Sequence, residues 1–245
     1  MKDYLIAIPV YNENEFLFEV ARNVIRCSGG YADLLFVNDG STDGSTQTLE
    51  LLNKEHFFVT IHKEKNEGYG SSLITSFAYA MEKNYKFLIT MDCDAQHQPE
   101  DLSRFIEEDY HIDVVSGSRY LPYSKTAGIL APQDRVEINR KITEKLNRYY
   151  RYSLTDAFCG FKRIRIQSLE REIFSVKGYA FPLEFWAFTK FKSLSIKEIG
   201  VDKIYITDDR SFGMDLDYKR KRYKYYMKTW RYAHFKYFKK QLSPL

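Results

Sequence analysis

Two aspartates separated by one residue, Asp92 and Asp94, follow an apolar run and precede Gln96 by a few positions. Alternate positions at the end of a buried strand present oxygen atoms at a spacing that suits a hard divalent cation. Mg²⁺ and Mn²⁺ prefer carboxylate and carbonyl oxygens together with the phosphate groups of a substrate. Strand-end carboxylates also accept hydrogen bonds from loop amides without binding a metal. The pattern therefore indicates either a metal site or a structural turn.

A second candidate, Asp39, comes directly after a predicted strand in the segment VNDGSTDGS. Asp-Gly pairs are common in turns and helix caps, and we interpret Ser41 and Thr42 in that way. The Asp39 carboxylate suits a hydrogen bond from a nucleobase N–H. Asn66 and Gly68, in NEGYG, are typical of a loop around a phosphate. Their spacing matches neither a Walker A loop nor a dinucleotide fingerprint, so kinase-type and NAD-type chemistry are not supported.

The elements that would position these residues alternate between strand and helix over the first 118 residues. This alternation is typical of βαβ units, and it predicts an α/β fold with a mostly parallel, Rossmann-like sheet flanked by helices. Ligands bind beyond the carboxyl ends of the strands in such sheets. Four polar clusters that follow the first four predicted strands should therefore meet at one rim; in chain order they are Tyr11–Glu13, Asp39–Gly44, Asn66–Gly70 and Asp92–His97. The predicted strands are Tyr4–Pro9, Leu34–Asn38, Phe57–His62, Lys86–Met91 and Asp113–Ser116, and the predicted helices are Glu13–Cys27, Gly44–Lys54, Tyr69–Lys83 and Pro99–Glu108.

The pattern is less regular after residue 118. We expect a loop over 119–132, a helix over 135–152, a polar turn over 155–162, a helix over 181–191, a strand pair around 195–206 and a link over 208–217. The predicted catalytic domain spans 1–217, with a nucleotide-sugar-binding half over 1–118 and an acceptor half over 119–217. Residues 218–245 form a separate basic, aromatic tail or helix.

Five motifs in order, IPVYNEN, VNDGSTDGS, NEGYGSSL, MDCDAQHQPEDL and VVSGSRY, resemble the family 2 glycosyltransferases of the A-type nucleotide-sugar fold. The segments MDCDAQHQPE, GSRY, TDAFCGFKR and GYAFPLEF are most similar to the dolichyl-phosphate mannosyltransferase-like branch. The resemblance covers roughly residues 4–213. It implies a hexosyltransferase that moves a sugar from a GDP-type or UDP-type donor, with Mg²⁺ or Mn²⁺ as cofactor, to a polyprenyl phosphate or a related acceptor.

The resemblance also implies roles for individual residues. Asp39 would pair with the base, Arg119 would contact a phosphate, and Arg140 is a weaker candidate for an acceptor phosphate. Asp94 would take part in catalysis as well as in metal binding. The residues implied to contact substrate are Pro9, Tyr11, Glu13, Asp39, Asn66, Gly68, Asp92, Cys93, Arg119 and Arg140, and the implied metal ligands are Asp92, Asp94 and Gln96.

The nature of the acceptor decides whether a protein base is needed. The family inverts the anomeric configuration, which implies a single in-line attack. A hydroxyl acceptor requires a carboxylate to take its proton, and Glu184 is the first choice and Asp156 the second. A lipid phosphate is already anionic and requires no base. The alternatives are transfer to a hydroxyl of a saccharide or other soluble acceptor, and a catalytically silent nucleotide-sugar-binding protein, against which the intact D-x-D and Gln96 argue.

The net charge of +4 conceals an asymmetry between the tail and the rest of the chain. Residues 218–245 contain ten Lys or Arg and no acid, so the preceding residues carry a net charge of −6. The tail also contains Tyr223, Tyr226, Trp230 and Tyr237 close to one helical face. A helix of this kind over 218–241 could pack on the body, contact an anionic membrane, or bind nucleic acid. We favour the first two and expect no nucleic-acid partner.

Composition and the cysteines bear on location. The chain contains no apolar stretch long enough to span a bilayer, and its three cysteines form no C-x-x-C pair. Its composition fits neither a disordered nor a collagen-like protein. We therefore expect a cytoplasmic protein that is peripheral on the inner face of a membrane.

Overall fold

The computed structural model describes residues 2–121, 126–128, 132–169, 174–205 and 216–239. The first part contains the strands β1 (Tyr4–Val10), β2 (Ala32–Asn38), β3 (Val59–His62), β4 (Phe87–Thr90) and β5 (Val114–Ser118), and the helices α1 (Asn14–Cys27), α2 (Ser45–Glu55), α3 (Tyr69–Glu82) and α4 (Leu102–Glu107). The second part contains β6 (Thr126–Gly128), α5 (Gln133–Tyr150), β7 (Lys162–Arg165), α6 (Phe181–Phe191), β8 (Ile196–Gly200), β9 (Lys203–Tyr205) and α7 (Lys219–Phe238).

The first four strands form the parallel sheet that the alternating pattern predicts. β1 pairs in parallel with β2 and β4, and β3 pairs in parallel with β2 at the edge. Successive residues of a strand point to opposite faces, so Leu5 and Ala7 pack against α3, α5, α6 and α7, while Ile6 and Ile8 pack against α1, α2 and α4. Because both faces are covered, the only polar surface available to these strands lies at their ends.

Strand β7 lies between β4 and β5 and runs antiparallel to both. The full strand order is β3-β2-β1-β4-β7-β5-β8, with β8 parallel to β5. The sequence analysis did not predict β7, which contains two buried cations, Lys162 and Arg163. Arg163 donates to the carbonyl oxygens of Glu108 and Asp109, each at 2.7 Å, and lies 4.7 Å from the centre of the Phe87 ring. Partners distant in sequence thus make a charged strand compatible with the core.

Three details differ from the sequence prediction. The strand pair expected around 195–206 is wrong, because β8 joins the main sheet whereas β9 pairs with β6 in a separate two-stranded sheet. The loop expected over 119–132 contains β6. The helix expected over Pro99–Glu108 starts as a 3₁₀ turn, Pro99–Asp101, before α4. Of the expected link over 208–217, residues 208–215 lie outside the described residues.

Asp113 joins three of the strands at the end of the sheet opposite the polar rim. Its carboxylate accepts hydrogen bonds from Ser195 N at 2.9 Å and Ser195 Oγ at 2.8 Å, as well as from Ser168 and Arg165. Burial raises the pKa of Asp113, but the hydrogen bonds from Ser168, Ser195 and Arg165 outweigh burial and lower it to about 2. The ionised carboxylate therefore stabilises the junction of β5, β7 and β8.

Helix α7 packs on the body, which is one of the arrangements expected for the basic tail. Tyr226, Trp230 and Tyr237 are buried in the same core as α6, and Trp230 Nε1 donates to the Tyr150 hydroxyl at 3.0 Å. Arg222 is also buried and forms an ion pair with Asp134 at the start of α5. None of the helices that the structure describes has the length and apolar character needed to cross a bilayer.

Candidate active site

The loops that follow β1 and β2 are joined by hydrogen bonds. Asn12 N donates to Ser41 Oγ at 3.0 Å, and Asn14 N donates to Asp43 Oδ2 at 2.9 Å. Burial raises the pKa of Asp43, but hydrogen bonds from Ser45 and the Asn14 amide outweigh burial and lower it. Ser41 and Asp43 are therefore more than turn residues, because they hold the first two polar clusters of the rim together.

Asp39 connects the second polar cluster to the third. Its Oδ2 accepts from the amides of Glu67 at 3.2 Å and Gly68 at 2.8 Å, and Lys63 Nζ lies 2.9 Å from Oδ1. The lysine neutralises the carboxylate charge, but Oδ1 accepts no directed hydrogen bond within the described part of the chain. Gly40 must be glycine, since its φ is +73° and a Cβ would lie 2.5 Å from the Lys65 carbonyl carbon. The predicted contact between Asp39 and a nucleobase stays a prediction, because the Asp39 side chain is buried and its Oδ1 faces Lys63.

Asp92 and Asp94 follow β4 at the centre of the rim. Asp92 Oδ1 accepts from the Tyr69 hydroxyl at 2.8 Å, which joins the third cluster to the fourth. The Asp92 side chain is 28% exposed, so its carboxylate is accessible. A Cβ at Gly160 would lie 2.3 Å from Asp92 Oδ2, so glycine is needed at this position for the close approach. Asp94 is partly buried, and its Oδ1 accepts from Gln96 N at 3.1 Å.

The donor set at this point fits a hard divalent cation bound together with a substrate. Asp92 and Asp94 provide carboxylate oxygens, and Gln96 adds an amide oxygen within the same turn. No group of three or more His, Cys, Asp or Glu suited to a metal occurs in the described residues. Mg²⁺ is commonly held by one or two carboxylates plus substrate phosphates, so two carboxylates are sufficient here.

His97 supports this turn and was missed by the sequence analysis. It is buried, and its Nδ1 accepts from Asp92 N at 3.2 Å. Its ring packs on Phe161 at 5.2 Å between centroids, and its Nε2 lies 3.9 Å from Cys159 Sγ. The residue lies in the quoted motif MDCDAQHQPE, but its sequence position alone does not show that it orients the Asp92 backbone.

Arg119 and Asp156 form a bidentate pair. Arg119 Nε donates to Asp156 Oδ2 at 2.7 Å, and Nη2 donates to Oδ1 at 3.0 Å. Asp156 is fully buried. Burial raises the pKa of Asp156, but the charge and hydrogen bonds of Arg119, together with Lys162, outweigh burial and hold the pKa below its usual value. Asp156 therefore anchors Arg119, and this arrangement argues against its predicted role as a base.

Glu184 does not lie at the rim. It is fully buried in the first turn of α6, where Oε2 accepts from Ser175 N at 2.9 Å and Val176 N at 2.7 Å. Oε1 accepts from Ser175 Oγ at 2.8 Å and from Lys236 Nζ at 2.9 Å. Both oxygens are thus enclosed by four donors. This enclosure argues against the predicted role of Glu184 as a base, since here the residue ties the 175–176 segment to α7.

A narrow, mostly apolar cleft adjoins Asp92. It is lined by Tyr69, Thr90, Gly160, Lys162 and Phe181 among others. Lys162 is buried, donates to the Cys159 carbonyl oxygen, and lies 5.4 Å from the Trp186 ring centre. Burial lowers the pKa of Lys162. The sequence analysis did not predict Lys162 as a buried cation in the wall of this cleft, because it did not recognise β7.

The remaining predicted residues fall into three groups. Pro9 and Glu13 are partly buried at the β1 end of the rim, and Tyr11 beside them is 42% exposed. Asn66 is exposed on the loop that Asp39 holds, whereas the Cys93 side chain is buried in the core. Arg140 lies on the solvent side of α5 with its side chain 70% exposed, 3.8 Å from Glu144. Its environment is that of a surface ion pair.

A solved structure shares this architecture. Glucosyl-3-phosphoglycerate synthase from Mycobacterium tuberculosis, in complex with Mn²⁺, uridine diphosphate and glucosyl-3-phosphoglycerate, matches with a TM-score of 0.72 and 15% sequence identity. The match covers 95% of this chain and 80% of that chain. Identity this low shows the fold alone, and it confirms the predicted A-type glycosyltransferase fold. This fold places the paired carboxylates Asp92 and Asp94 at its rim, and the sequence comparisons below define the class as nucleotide-sugar-dependent glycosyltransferases.

The sequence comparisons specify the family. The model for glycosyl transferase family 2 matches residues 5–173, so the chain belongs to this family. An undecaprenyl-phosphate mannosyltransferase of Micrococcus luteus is 29% identical over 196 residues, which cover 74% of each protein. A polyprenol monophosphomannose synthase of Mycolicibacterium smegmatis is 30% identical over 191 residues, covering 74% of this chain and 69% of the relative. These relatives confirm the predicted branch of the family.

Proposed function

We propose that this enzyme transfers a sugar from a nucleoside diphosphate sugar to the phosphate of a polyprenyl phosphate. The observation that carries the proposal is the position of the two candidate bases. Glu184 is enclosed by four donors, and Asp156 is clamped by Arg119. A hydroxyl acceptor needs a group that removes its proton, whereas an anionic phosphate does not. The names of the two relatives support the same acceptor class.

On the donor side, the proposal uses the rim described above. Pro9, Tyr11, Glu13, Asn66, Gly68 and Asp92 would line the nucleotide-sugar pocket, and Cys93, whose side chain is buried, would contribute through its backbone. Asp39 would support the base pocket by holding Lys63 and the Glu67 and Gly68 amides in place. Asp92, Asp94 and Gln96 would hold Mg²⁺ or Mn²⁺. The cation, when bound, would neutralise charge that develops on the departing diphosphate.

On the acceptor side, Arg119 would bind the incoming phosphate. Asp156 fixes the guanidinium group of Arg119, and the Arg119 side chain remains 16% exposed at the rim. A fixed planar fork suits bidentate recognition of a phosphate. The phosphate oxygen would then attack from the face opposite the leaving diphosphate and invert the anomeric carbon. The solvent-facing position of Arg140 gives no support to a role in this step.

A polyprenyl-phosphate acceptor requires the enzyme to work at a membrane surface. We therefore propose a cytoplasmic enzyme that is peripheral on the inner face of a membrane. Transfer to a saccharide hydroxyl is the alternative, and the enclosed carboxylates argue against it. A silent nucleotide-sugar-binding protein is disfavoured by the accessible Asp92 and by the intact donor set around it.

The acceptor assay compares three substrates for the full chain with Mn²⁺ and a labelled donor sugar. A polyprenyl phosphate, the matching neutral polyprenol and a soluble saccharide differ in whether a proton must be removed. We expect product from the phosphate alone. Product from the polyprenol or the saccharide at a comparable rate would refute the proposed acceptor.

The donor is identified by a thermal-shift screen of UDP-sugars and GDP-sugars with Mn²⁺, since a ligand that binds only the folded state raises the melting temperature. Asp94→Ala is expected to abolish turnover with little loss of stability. Asp39→Ala is expected to weaken binding of the nucleoside diphosphate by roughly 1.5 to 3 kcal/mol, measured by calorimetry. Full activity of Asp94→Ala, or of the wild type in excess EDTA, would contradict the metal site.

A further inference from the structure

One face of α7 points away from the body and carries cations and aromatic rings. Lys224, Lys228 and Arg231 are exposed and follow one another at spacings of four and three residues. Phe235 continues the same face and is 53% exposed, and the ring of Tyr232 beside it is 52% exposed although its hydroxyl lies 3.0 Å from Ser175 Oγ on the body. Residues at such spacings lie on one side of a helix. The stretch from Lys224 to Phe235 is about 17 Å long at 1.5 Å per residue.

The packing of α7 fixes this face toward the exterior. The opposite side of the helix holds Tyr226, Trp230 and Tyr237 in the core. Lys236 forms an ion pair with the buried Glu184, and Arg222 forms one with Asp134. These contacts prevent the helix from rolling, so the cations and exposed rings remain on the outside.

Within the described residues, the cations of this face are not neutralised by acids. Lys219, one turn earlier, pairs with Glu137 at 2.7 Å. In the part of the chain that the structure describes, no acid forms an ion pair with Lys224, Lys228 or Arg231. The chain before residue 218 has a net charge of −6, so the body does not itself attract an anionic surface. The α7 face is therefore suited to an external anion.

The cationic part of the face starts close to the candidate active site. Tyr225 follows Lys224 in the sequence, and its hydroxyl packs against Gly178. A Cβ added at Gly178 would lie 2.5 Å from that hydroxyl. Tyr179 stacks on Tyr69 at 6.1 Å between centroids, and Tyr69 in turn donates to the metal-site residue Asp92. A surface bound to α7 would thus lie beside the rim.

We propose that the α7 face, formed by Lys224, Lys228, Arg231, Tyr232 and Phe235, binds the headgroup region of an anionic bilayer. Lys and Arg near an anionic leaflet are attracted within a Debye length of about 8 Å, and exposed aromatic rings favour the headgroup level. This location brings the rim to lipid-borne substrates. The purpose of the contact rests on the proposed function, but the contact itself is measurable without donor or acceptor.

The test is co-sedimentation of the full chain with vesicles of phosphatidylcholine, with and without phosphatidylglycerol. The first variant carries Lys224→Gln, Lys228→Gln and Arg231→Gln. Its matched control carries the same loss of charge on other surfaces, through Arg22→Gln and Lys54→Gln on α1 and α2 and Lys83→Gln just after α3. A further variant, Phe235→Ser, tests the contribution of an exposed ring. Thermal melting of each variant verifies the fold.

We expect wild type and the control triple variant to bind vesicles that contain phosphatidylglycerol, and to be released by salt. The α7 triple variant should bind about 10²-fold more weakly, since each cation near the surface contributes about a factor of five. Phe235→Ser should weaken binding without changing its salt dependence. Calorimetric affinity for the nucleoside diphosphate with Mn²⁺ should be unchanged in all variants, so loss of membrane binding and failure of the proposed transfer are separable.

Three results would overturn the proposal. One is equal binding of the wild-type chain to vesicles with and without phosphatidylglycerol. Another is equal binding of the α7 and control triple variants to vesicles that contain phosphatidylglycerol. The third is tighter binding of the wild-type chain to single-stranded RNA than to vesicles that contain phosphatidylglycerol, lost in the α7 triple variant, which would assign the face to nucleic acid.

Discussion

Replacing Glu184 by glutamine separates a structural carboxylate from a catalytic one. The substitution removes the charge that faces Lys236 Nζ at 2.9 Å, and it places an amide NH₂ among groups that are all donors. If the amide oxygen keeps the Ser175 and Val176 amides, the NH₂ group faces Lys236 Nζ, which is also a donor. A base at the rim would leave stability unchanged on the same substitution, so the two roles predict opposite results.

The expected loss of stability is about 3 kcal/mol. Breaking a fully buried ion pair by removing one partner costs about 3 to 5 kcal/mol. The Lys236 side chain is 24% exposed and can turn toward water, so we take the lower end of that range. Native domains are stable by only about 5 to 15 kcal/mol, so the effect is a large fraction of the total.

The assay is urea unfolding of the wild type and of Glu184→Gln, with turnover measured on the folded fraction. The unfolding midpoint should fall while the slope stays constant. Glu144→Gln is the control, because Glu144 pairs with Arg140 on the surface and should cost less than about 0.5 kcal/mol. An unchanged midpoint together with a 10² to 10⁴-fold loss of turnover would refute this reasoning and restore the base.

Three other substitutions or deletions test separate parts of the structure. Tyr69→Phe should weaken Mn²⁺ binding in the presence of nucleoside diphosphate by about tenfold or more, because Asp92 loses an orienting donor; unchanged affinity by calorimetry would contradict this. Asp113 has its pKa lowered to about 2 in the folded state, so its stabilisation of about 2 kcal/mol is complete above about pH 4 and lost as the pH falls toward 2. Denaturant titrations at several pH values should show that the free energy of unfolding of the wild type falls as the pH is lowered from about 4 toward 2. The fall should be smaller in Asp113→Asn. A chain that ends at Asp217 should lose cooperative thermal unfolding, because the fully packed Trp230 and its neighbours leave the core; a sharp transition would show that α7 is dispensable.

The parallel half of the fold could be predicted from the sequence because its strands are almost wholly apolar. Runs such as Tyr4–Val10 are bounded by polar turns, and the carboxyl ends of parallel strands must meet at one edge. The positions of Asp39, Asp92 and Asp94 follow from that rule alone. The contacts of Asp39 with Lys63 and of Asp92 with Tyr69 cannot be predicted in this way, because they depend on the conformation of the loops.

Strand β7 and Glu184 show where sequence reasoning fails. Arg163 has the character of a surface residue until Glu108, Asp109 and Phe87 supply its partners. Lys162 likewise depends on the Cys159 carbonyl oxygen and the Trp186 ring. Glu184 matches the family's acidic position, but the donors that enclose it come from residues 175–176 and from Lys236. In each case, the burial of a charge depends on partners that no local pattern reveals.

The antiparallel β7 has a consequence for how the chain is made. Both neighbours of β5, which are β7 and β8, are synthesised after it, although β5 itself ends at residue 118. At about 5 to 20 residues per second, a ribosome needs roughly 4 to 16 s to proceed from β5 to the end of β8. Until β7 has been synthesised, β5 and the outer edge of β4 have no partners in the sheet, and unpaired edges invite aggregation. We therefore expect residues 1–118, the predicted nucleotide-sugar-binding half, to fold stably only when the later strands have left the ribosome and closed the sheet.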